Sequence, residues 1–129
     1  FSQLRKHLKD LYQAACERFG EQNCGLYIGV QVKDDETRRK VAMDRKLTFC
    51  TFGVANKALD VPHKDTAIFT TPKSDVRQAK GRIERPLVNK KDPVIIDPVL
   101  AHIDLFKYMW FARRRIYRES GSEISTIAL

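Results

Sequence analysis

Gln78, Arg82 and Arg85 are spaced so that their side chains can meet a single ligand. At roughly 100° per residue, these positions fall within about a 60° arc of one helix. A guanidinium fork matches phosphate oxygens better than any other side chain, and a neighbouring amide adds a neutral donor. Gly81 lies among them at a cost of about 1 kcal/mol relative to alanine, which points to a close approach there. About 125° away by the same geometry, Val76, Ala79 and Ile83 form an apolar stripe that can pack on a sheet. A solvated basic face accounts for the same polar residues, and the residues alone leave both readings open.

The elements around this helix are those of an α/β layer. Ala67 to Thr71 reads as a strand that leads through Pro72 and Lys73 to Ser74 as a helix N-cap, with Asp75 suited to the positive helix end. Three further apolar runs read as strands: Cys24 to Val30, Leu47 to Thr51 and Pro93 to Asp97. Between them lie helical patterns. Leu4, Leu8, Leu11, Ala15 and Phe19 form one stripe closed by Gly20, and a second helix opens at Asp34-Asp35-Glu36 and runs to about Met43. Val54 to Leu59 gives one or two helical turns. Ile103, Phe106, Trp110, Arg114 and Tyr117 mark one face of a long last helix ending near Gly121. Strands that are nearly all apolar and alternate with helices predict a parallel sheet covered on both faces. Ligands of such folds meet the carboxyl ends of strands, here the segments after Thr51, Thr71 and Asp97.

Composition narrows the partners. The 129 residues fit one domain, with 43% hydrophobic and 31% charged residues, and the net charge of +8 attracts nucleic acid, nucleotide phosphates or anionic membranes. No apolar run approaches the ~18 residues of a membrane span. Phe1 opens the sequence with neither Met nor a signal-peptide core, so the chain is expected to be a piece or processed product of something longer. Cys16, Cys24 and Cys50 sit beside apolar neighbours without C-x-x-C spacing and read as buried, reduced thiols of an intracellular compartment. His7, His63 and His102 are not patterned with the thiols, and no metal site is expected.

Neither a G-x-x-x-x-G-K-[ST] phosphate loop nor a G-x-G-x-x-G fingerprint occurs, and no nucleophile elbow. Asp97, at a strand end before Pro98, reads as a turn residue or as an acid or ligand. Arg113, Arg114, Arg115 and Arg118 make either a nucleic-acid or interdomain stripe or a solvated cationic face, while Phe106 and Trp110 read as core. In the segment Thr51 to Pro62, a strand-end Thr, Gly53 and a short helix start can offer a hydroxyl and N–H groups to a phosphate. Asp60 there can accept from a ribose hydroxyl, or simply serve a turn.

Two stretches carry a family resemblance. Thr51 to Pro62 follows T-x-x-x-A-x-x-x-L-D-[IV]-P, and Thr71 to Arg85 follows T-P-K-x-D-[IV]-x-Q-x-x-G-R-[IV]-x-R, with Asp60 eighteen residues before Gln78. Together they resemble motifs V and VI of superfamily 2 helicases, most of all those of large DNA viruses and phages. The resemblance extends through Pro93 to Asp97, to Phe106, Arg113 and Tyr117, and back to Leu4 to Leu8. It implies a RecA-like second motor domain over residues 1–121 with a tail at 122–129, its first strand missing or reduced to Phe1-Ser2.

Carried over residue by residue, the resemblance makes Arg82 and Arg85 arginine fingers toward the ATP γ-phosphate, with Gln78 beside them and Gly81 at the nucleotide. Asp60 would touch the ribose. Thr51, Gly53, Gly29 and Arg5 would hold the backbone of a nucleic acid, expected to be DNA. ATP and Mg²⁺ would be held mainly by the first RecA-like domain of the same parent, so this chain alone is expected not to hydrolyse ATP. A viral parent implies the virion or host cytoplasm. Two departures stand out: Ala58 replaces a frequent Gly, and Glu84-Arg85-Pro86 ends the helix abruptly. The other reading is a non-catalytic basic α/β module that binds nucleic acid.

Overall fold

The computed structural model describes residues 1–29, 35–58 and 61–128. Helix α1 spans Arg5–Phe19 and buries Leu8, with Leu11, Tyr12 and Ala15 half-buried. Leu4 and Phe19, the expected ends of its stripe, are exposed. Length explains this: fifteen helical residues cover about 22 Å, whereas the four-residue strands beneath cover about 13 Å. Gly20, at φ 84°, closes the helix by donating its N–H to the Cys16 carbonyl at 2.9 Å.

A single 3-10 turn, Glu21–Asn23, leads into β1, Cys24–Tyr27, which pairs in parallel with β2, Leu47–Cys50. Helix α2, Asp35–Asp44, is the crossover between them. Gly25 of β1 lets the α2 backbone lie directly on the strand. A Cβ there would stand 2.3 Å from the Ala42 carbonyl oxygen, so no other residue fits without displacing main chain. Helix α3, Phe52–Ala58, follows β2, and a second parallel pair comes from β3, Thr66–Ile68, and β4, Val94–Ile96. Helix α4, Arg77–Ile83, connects that pair and packs against α3.

Phe1 and Ser2 join the two pairs. Ser2 donates its N–H to the Cys50 carbonyl (3.3 Å) and accepts from Phe52 N–H (3.1 Å). On the other side, the Phe1 amino group donates to the Ile68 carbonyl (2.6 Å), and the Phe1 carbonyl accepts from Thr70 N–H (2.8 Å). The resulting order is β1, β2, Phe1-Ser2, β3, β4, all parallel, so the expected first strand takes part as two residues at the middle of the sheet. The chain moves one way along this order through α1 and the other way through α2, α3 and α4. Right-handed crossovers therefore place α1 on one face and the other three helices on the opposite face. This is the expected α/β architecture, a parallel sheet with helices on both sides.

The core forms around that central segment. Phe1 stacks at 5.8 Å from both Phe52 and Phe69, whose own rings lie 5.3 Å apart, so α3, the central segment and the end of β3 share one aromatic cluster. Burial of Cys50 inside this core pushes its thiol up to about 12, and Cys16, Cys24 and Cys50 are all free. On β3 and β4, Ile68, Val94 and Ile96 remain about half exposed, so helices cover this half of the sheet less completely than the apolar sequence predicts.

Helix α5, Asp104–Glu119, is the longest element. It ends as a Schellman motif: Gly121, at φ 74°, donates to the Arg118 carbonyl (3.0 Å), and Ser122 donates to the Tyr117 carbonyl (2.9 Å). The tail turns back and rests Ile124 against the core beside Trp110.

Candidate functional site

Helix α4 is anchored on two sides and open on a third. Val76, Ala79 and Ile83, the stripe expected from spacing, are buried in the core. Lys80 is buried as well, only 3% exposed, and its ammonium pairs with the Glu84 carboxylate one turn on. Gln78 and Gly81 are exposed and Arg82 is half-buried, on the side of the helix away from the stripe. Apart from its two neighbours and the nearby backbone of its own helix, no described atom lies within 4 Å of a Cβ built on Gly81. The close approach expected there is therefore not made by any described part of this chain.

The start of α4 differs from the expectation. Ser74 is exposed and caps nothing, and the helix begins at Arg77 with Val76 in the N-cap position. Asp75 takes the capping role. Its carboxylate accepts the Arg77 N–H at 3.0 Å and pairs with the Arg77 guanidinium at 3.0 Å. An Asp satisfies a donor two residues ahead as readily as a serine N-cap does, and that delays the helix by two residues.

Helical hydrogen bonding ends at Glu84, so Arg85 lies just beyond the helix and is exposed. Lys90 fixes its position. The Lys90 ammonium donates to the carbonyls of Ile83 and, at 2.9 Å, Arg85, placing a cation where the helix leaves unpaired carbonyls and negative dipole charge. Lys90 reaches back through a tight turn in which it donates its N–H to the Leu87 carbonyl and Asn89 takes φ 63°. Sequence spacing shows the turn but not the side chain's return to α4. The signal was a Lys placed after a left-handed Asn close behind a helix C-terminus.

The residues expected at nucleic acid fall at the carboxyl ends of strands. Gly29 follows β1 at φ 110°, and a Cβ there would lie 3.6 Å from Arg5 Nη2, so Arg5 and Gly29 are brought together. Thr51 follows β2, and its hydroxyl accepts the Val54 N–H at 3.3 Å as the cap of α3. Its hydroxyl proton remains available to a ligand. Gly53, in the first turn of α3, is exposed. Helix α3 links the two groups, with Thr51 and Gly53 at its start and α4 against its side. Asp60 lies outside the described residues.

Asp97, expected as a turn residue or as an acid or ligand, is a buried ion-pair partner of α5. Its two carboxylate oxygens accept Arg113 Nε (2.7 Å) and Nη2 (3.0 Å) as a fork, and Tyr117 Oη donates to the same group at 2.9 Å. Arg113 also donates to the Lys73 carbonyl at 3.0 Å, tying β4, α5 and the loop before α4 together. Burial, then the charge of Asp97, raise the Tyr117 phenol well above its ordinary value. Arg113 thus belongs to the buried face of α5, where the spacing had placed Arg114. The missed signal was an arginine three residues after Trp110 and four before Tyr117, within the apolar stripe. Trp110 packs against the core as expected.

No family model matches the chain. Over 108 residues the chain is 29% identical to a protein of Acanthamoeba polyphaga mimivirus that is described provisionally as an ATP-dependent RNA helicase. The match covers 84% of this chain and 20% of the mimivirus protein, so the chain spans about a fifth of that relative's length. This similarity suggests a helicase relationship. Among the described residues, no helix is long and apolar enough to cross a membrane.

Proposed function

We propose that this chain is the second RecA-like motor domain of an ATP-dependent superfamily 2 helicase or translocase, covering residues 1–121 with a tail at 122–129. The observation that carries the reading is α4. Its buried stripe and the Lys90 contact fix the helix, while Gln78 and Gly81 are exposed on the far side, Arg82 is half-buried beside them and Arg85 stands exposed at its end. The parallel sheet order and the similarity to the mimivirus protein support it.

ATP with Mg²⁺ would supply a phosphoanhydride whose hydrolysis drives the cycle. The donor set suits part of that group: two guanidiniums and an amide match γ-phosphate oxygens. This chain's proposed share is the phosphate, with the metal ion held mainly by the first RecA-like domain. Arg82 and Arg85 would donate to oxygens that gain charge as the terminal phosphate transfers, with Gln78 contacting the same group. Lys90 would hold the Arg85 backbone in place for this. Asp60 is proposed at the ribose, and the first RecA-like domain of the same polypeptide would bind the rest of the nucleotide. Arg5, Gly29, Thr51 and Gly53 would hold the backbone of a nucleic acid. The viral and phage resemblance points to DNA and the mimivirus relative's name to RNA, so unwinding assays on both decide the substrate.

In the full-length polypeptide, Arg85→Ala is expected to cut ATP hydrolysis by about 10³–10⁵-fold. Nucleotide and nucleic-acid binding should stay close to normal. Phosphate release and equilibrium binding measure the two effects, and normal hydrolysis by the variant would remove the finger role. In a non-catalytic basic binding module the same arginine would serve only as a phosphate-backbone contact, and Arg85→Ala would weaken strand binding in a polypeptide that hydrolyses no ATP.

A further inference from the structure

The four arginines near the end of α5 separate into distinct environments. Arg113 is buried on Asp97, and Arg115 lies 3.5 Å from Glu119 as a surface pair. The side chains of Arg114 and Arg118 make no ion pair or hydrogen bond among the described residues. They are one turn apart, and Trp110 precedes Arg114 by another turn, so all three occupy one row of the helix. The Schellman turn at Gly121 brings the tail back along that row. Between helix and tail lies a groove of about 410 Å³ lined by Trp110, Arg114, Arg118, Ser122, Ile124 and Thr126.

We propose that this groove binds the phosphate backbone of a single-stranded nucleic acid through Arg114 and Arg118. The inference rests on the nucleic-acid reading above and assigns a contact separate from Arg5, Gly29, Thr51 and Gly53. Two unpaired guanidiniums about 6 Å apart along the helix axis suit successive backbone phosphates. Thr126 adds a hydroxyl donor on the opposite wall, beside Ser122, whose hydroxyl lies 3.3 Å from Ser120 Oγ. Trp110 and Ile124 give the same groove apolar surface, which an unpaired base can cover and a stacked duplex base cannot. Trp110 is itself held in place, with the Arg113 guanidinium 5.9 Å from its ring centroid and the Tyr117 ring at 6.1 Å.

Trp110 is the only tryptophan in the sequence, so intrinsic fluorescence reports on this groove. The test titrates the 129-residue chain with a short fluorescein-labelled oligothymidylate and, separately, an oligouridylate, following anisotropy and Trp110 emission. Both signals are expected to change with the same midpoint. An Arg114→Gln/Arg118→Gln variant neutralises two fewer phosphates, which should lower the salt-dependence slope by about 1.4 and weaken binding about 25-fold at ~0.1 M salt. Anisotropy that rises with Trp110 emission unchanged overturns the groove, and so does a folded variant with wild-type affinity and slope. Full displacement of the strand by millimolar inorganic phosphate or ATP also overturns it, in favour of a small-anion pocket. If the variant fails to fold, the two wild-type signals decide alone. A wild-type chain that binds neither oligonucleotide removes the nucleic-acid reading along with the groove, which distinguishes that failure from the others.

Discussion

Arg113 on α5 and Arg82 on α4 are the same residue type in opposite surroundings. Arg113 is 1% exposed, and its donors are taken by the Asp97 carboxylate and the Lys73 carbonyl. Arg82 is half-buried on the side of α4 that faces away from the core, next in sequence to the exposed Gly81. A buried guanidinium with its donors satisfied fixes three segments relative to one another and has little left for a ligand. A half-buried guanidinium beside an exposed glycine can still be reached from outside the chain. Net charge counts both alike, so +8 alone says nothing about how many arginines are available. Lys80 makes the same point within α4: it carries the same formal charge as Arg82, yet it is buried against Glu84.

Breaking the α5 side should give the largest effect. Arg113→Ala leaves the Asp97 carboxylate buried without its cation, and such an uncompensated charge costs about 3–5 kcal/mol. Urea unfolding of the chain measures this as a fall in midpoint. A double replacement, Asp97→Leu with Arg113→Met, removes both charges and is expected to recover most of the loss, because apolar pairs of similar volume often replace buried ion pairs at little cost. A loss below about 1 kcal/mol for Arg113→Ala, the range of surface pairs, would mean that the fork is not a clamp.

Tyr117 sharpens the same region by a smaller amount. Removing a hydrogen bond to a charged group costs about 1.5–3 kcal/mol, so Tyr117→Phe should destabilise less than Arg113→Ala. Its pH dependence has a defined sign. The phenol is raised in the folded state by burial and by Asp97, so the unfolded chain loses this proton first as pH rises. Its contribution is fully present below the unfolded value near 10 and is lost above it. Cys50, raised from 9.0 to about 12 by burial, adds a loss in the same direction that begins near pH 9. Unfolding curves between neutral pH and pH 11 should therefore fall on the alkaline side, and less steeply in Tyr117→Phe. Equal slopes in the two proteins would place the alkaline loss elsewhere.

Local patterns carried most of the architecture. The stripe Val76, Ala79 and Ile83, the alternation of apolar strands with helices, and Gly20 and Gly121 at helix ends are determined by neighbours within a few residues. The features that the sequence did not show depend on distant partners. Asp97 finds its cation sixteen residues away, and Lys90 returns across a turn to the end of α4. Gly25 is needed only because the α2 backbone lies on it. At the candidate site, the polar arc of α4 was legible from spacing, whereas its limits were not. Asp75 delays the helix start, and Lys90 holds Arg85 just past its end. The L-D-V-P and Q-x-x-G-R-x-x-R stretches carried the functional reading because they specify residue types at fixed intervals, which composition does not.

Gly81 gives the smallest effect and tests the open side directly. It lies inside α4, and a Cβ built there meets nothing within 4 Å, so alanine fits without displacing any described atom. Replacing an exposed helical glycine by alanine should stabilise the chain by roughly 0.5–1 kcal/mol, through the helix and through a less disordered unfolded state. Thermal unfolding should show this gain if no ligand is present. A nucleotide phosphate drawn close by Arg82 and Arg85 would meet the added methyl group, so the same substitution should slow ATP hydrolysis by the full-length polypeptide. Stability and activity are thus expected to move in opposite directions, a result that a merely solvated basic face cannot produce. If Gly81→Ala raises stability and leaves hydrolysis unchanged, nothing approaches α4 at this position, and the glycine carries only its helix cost.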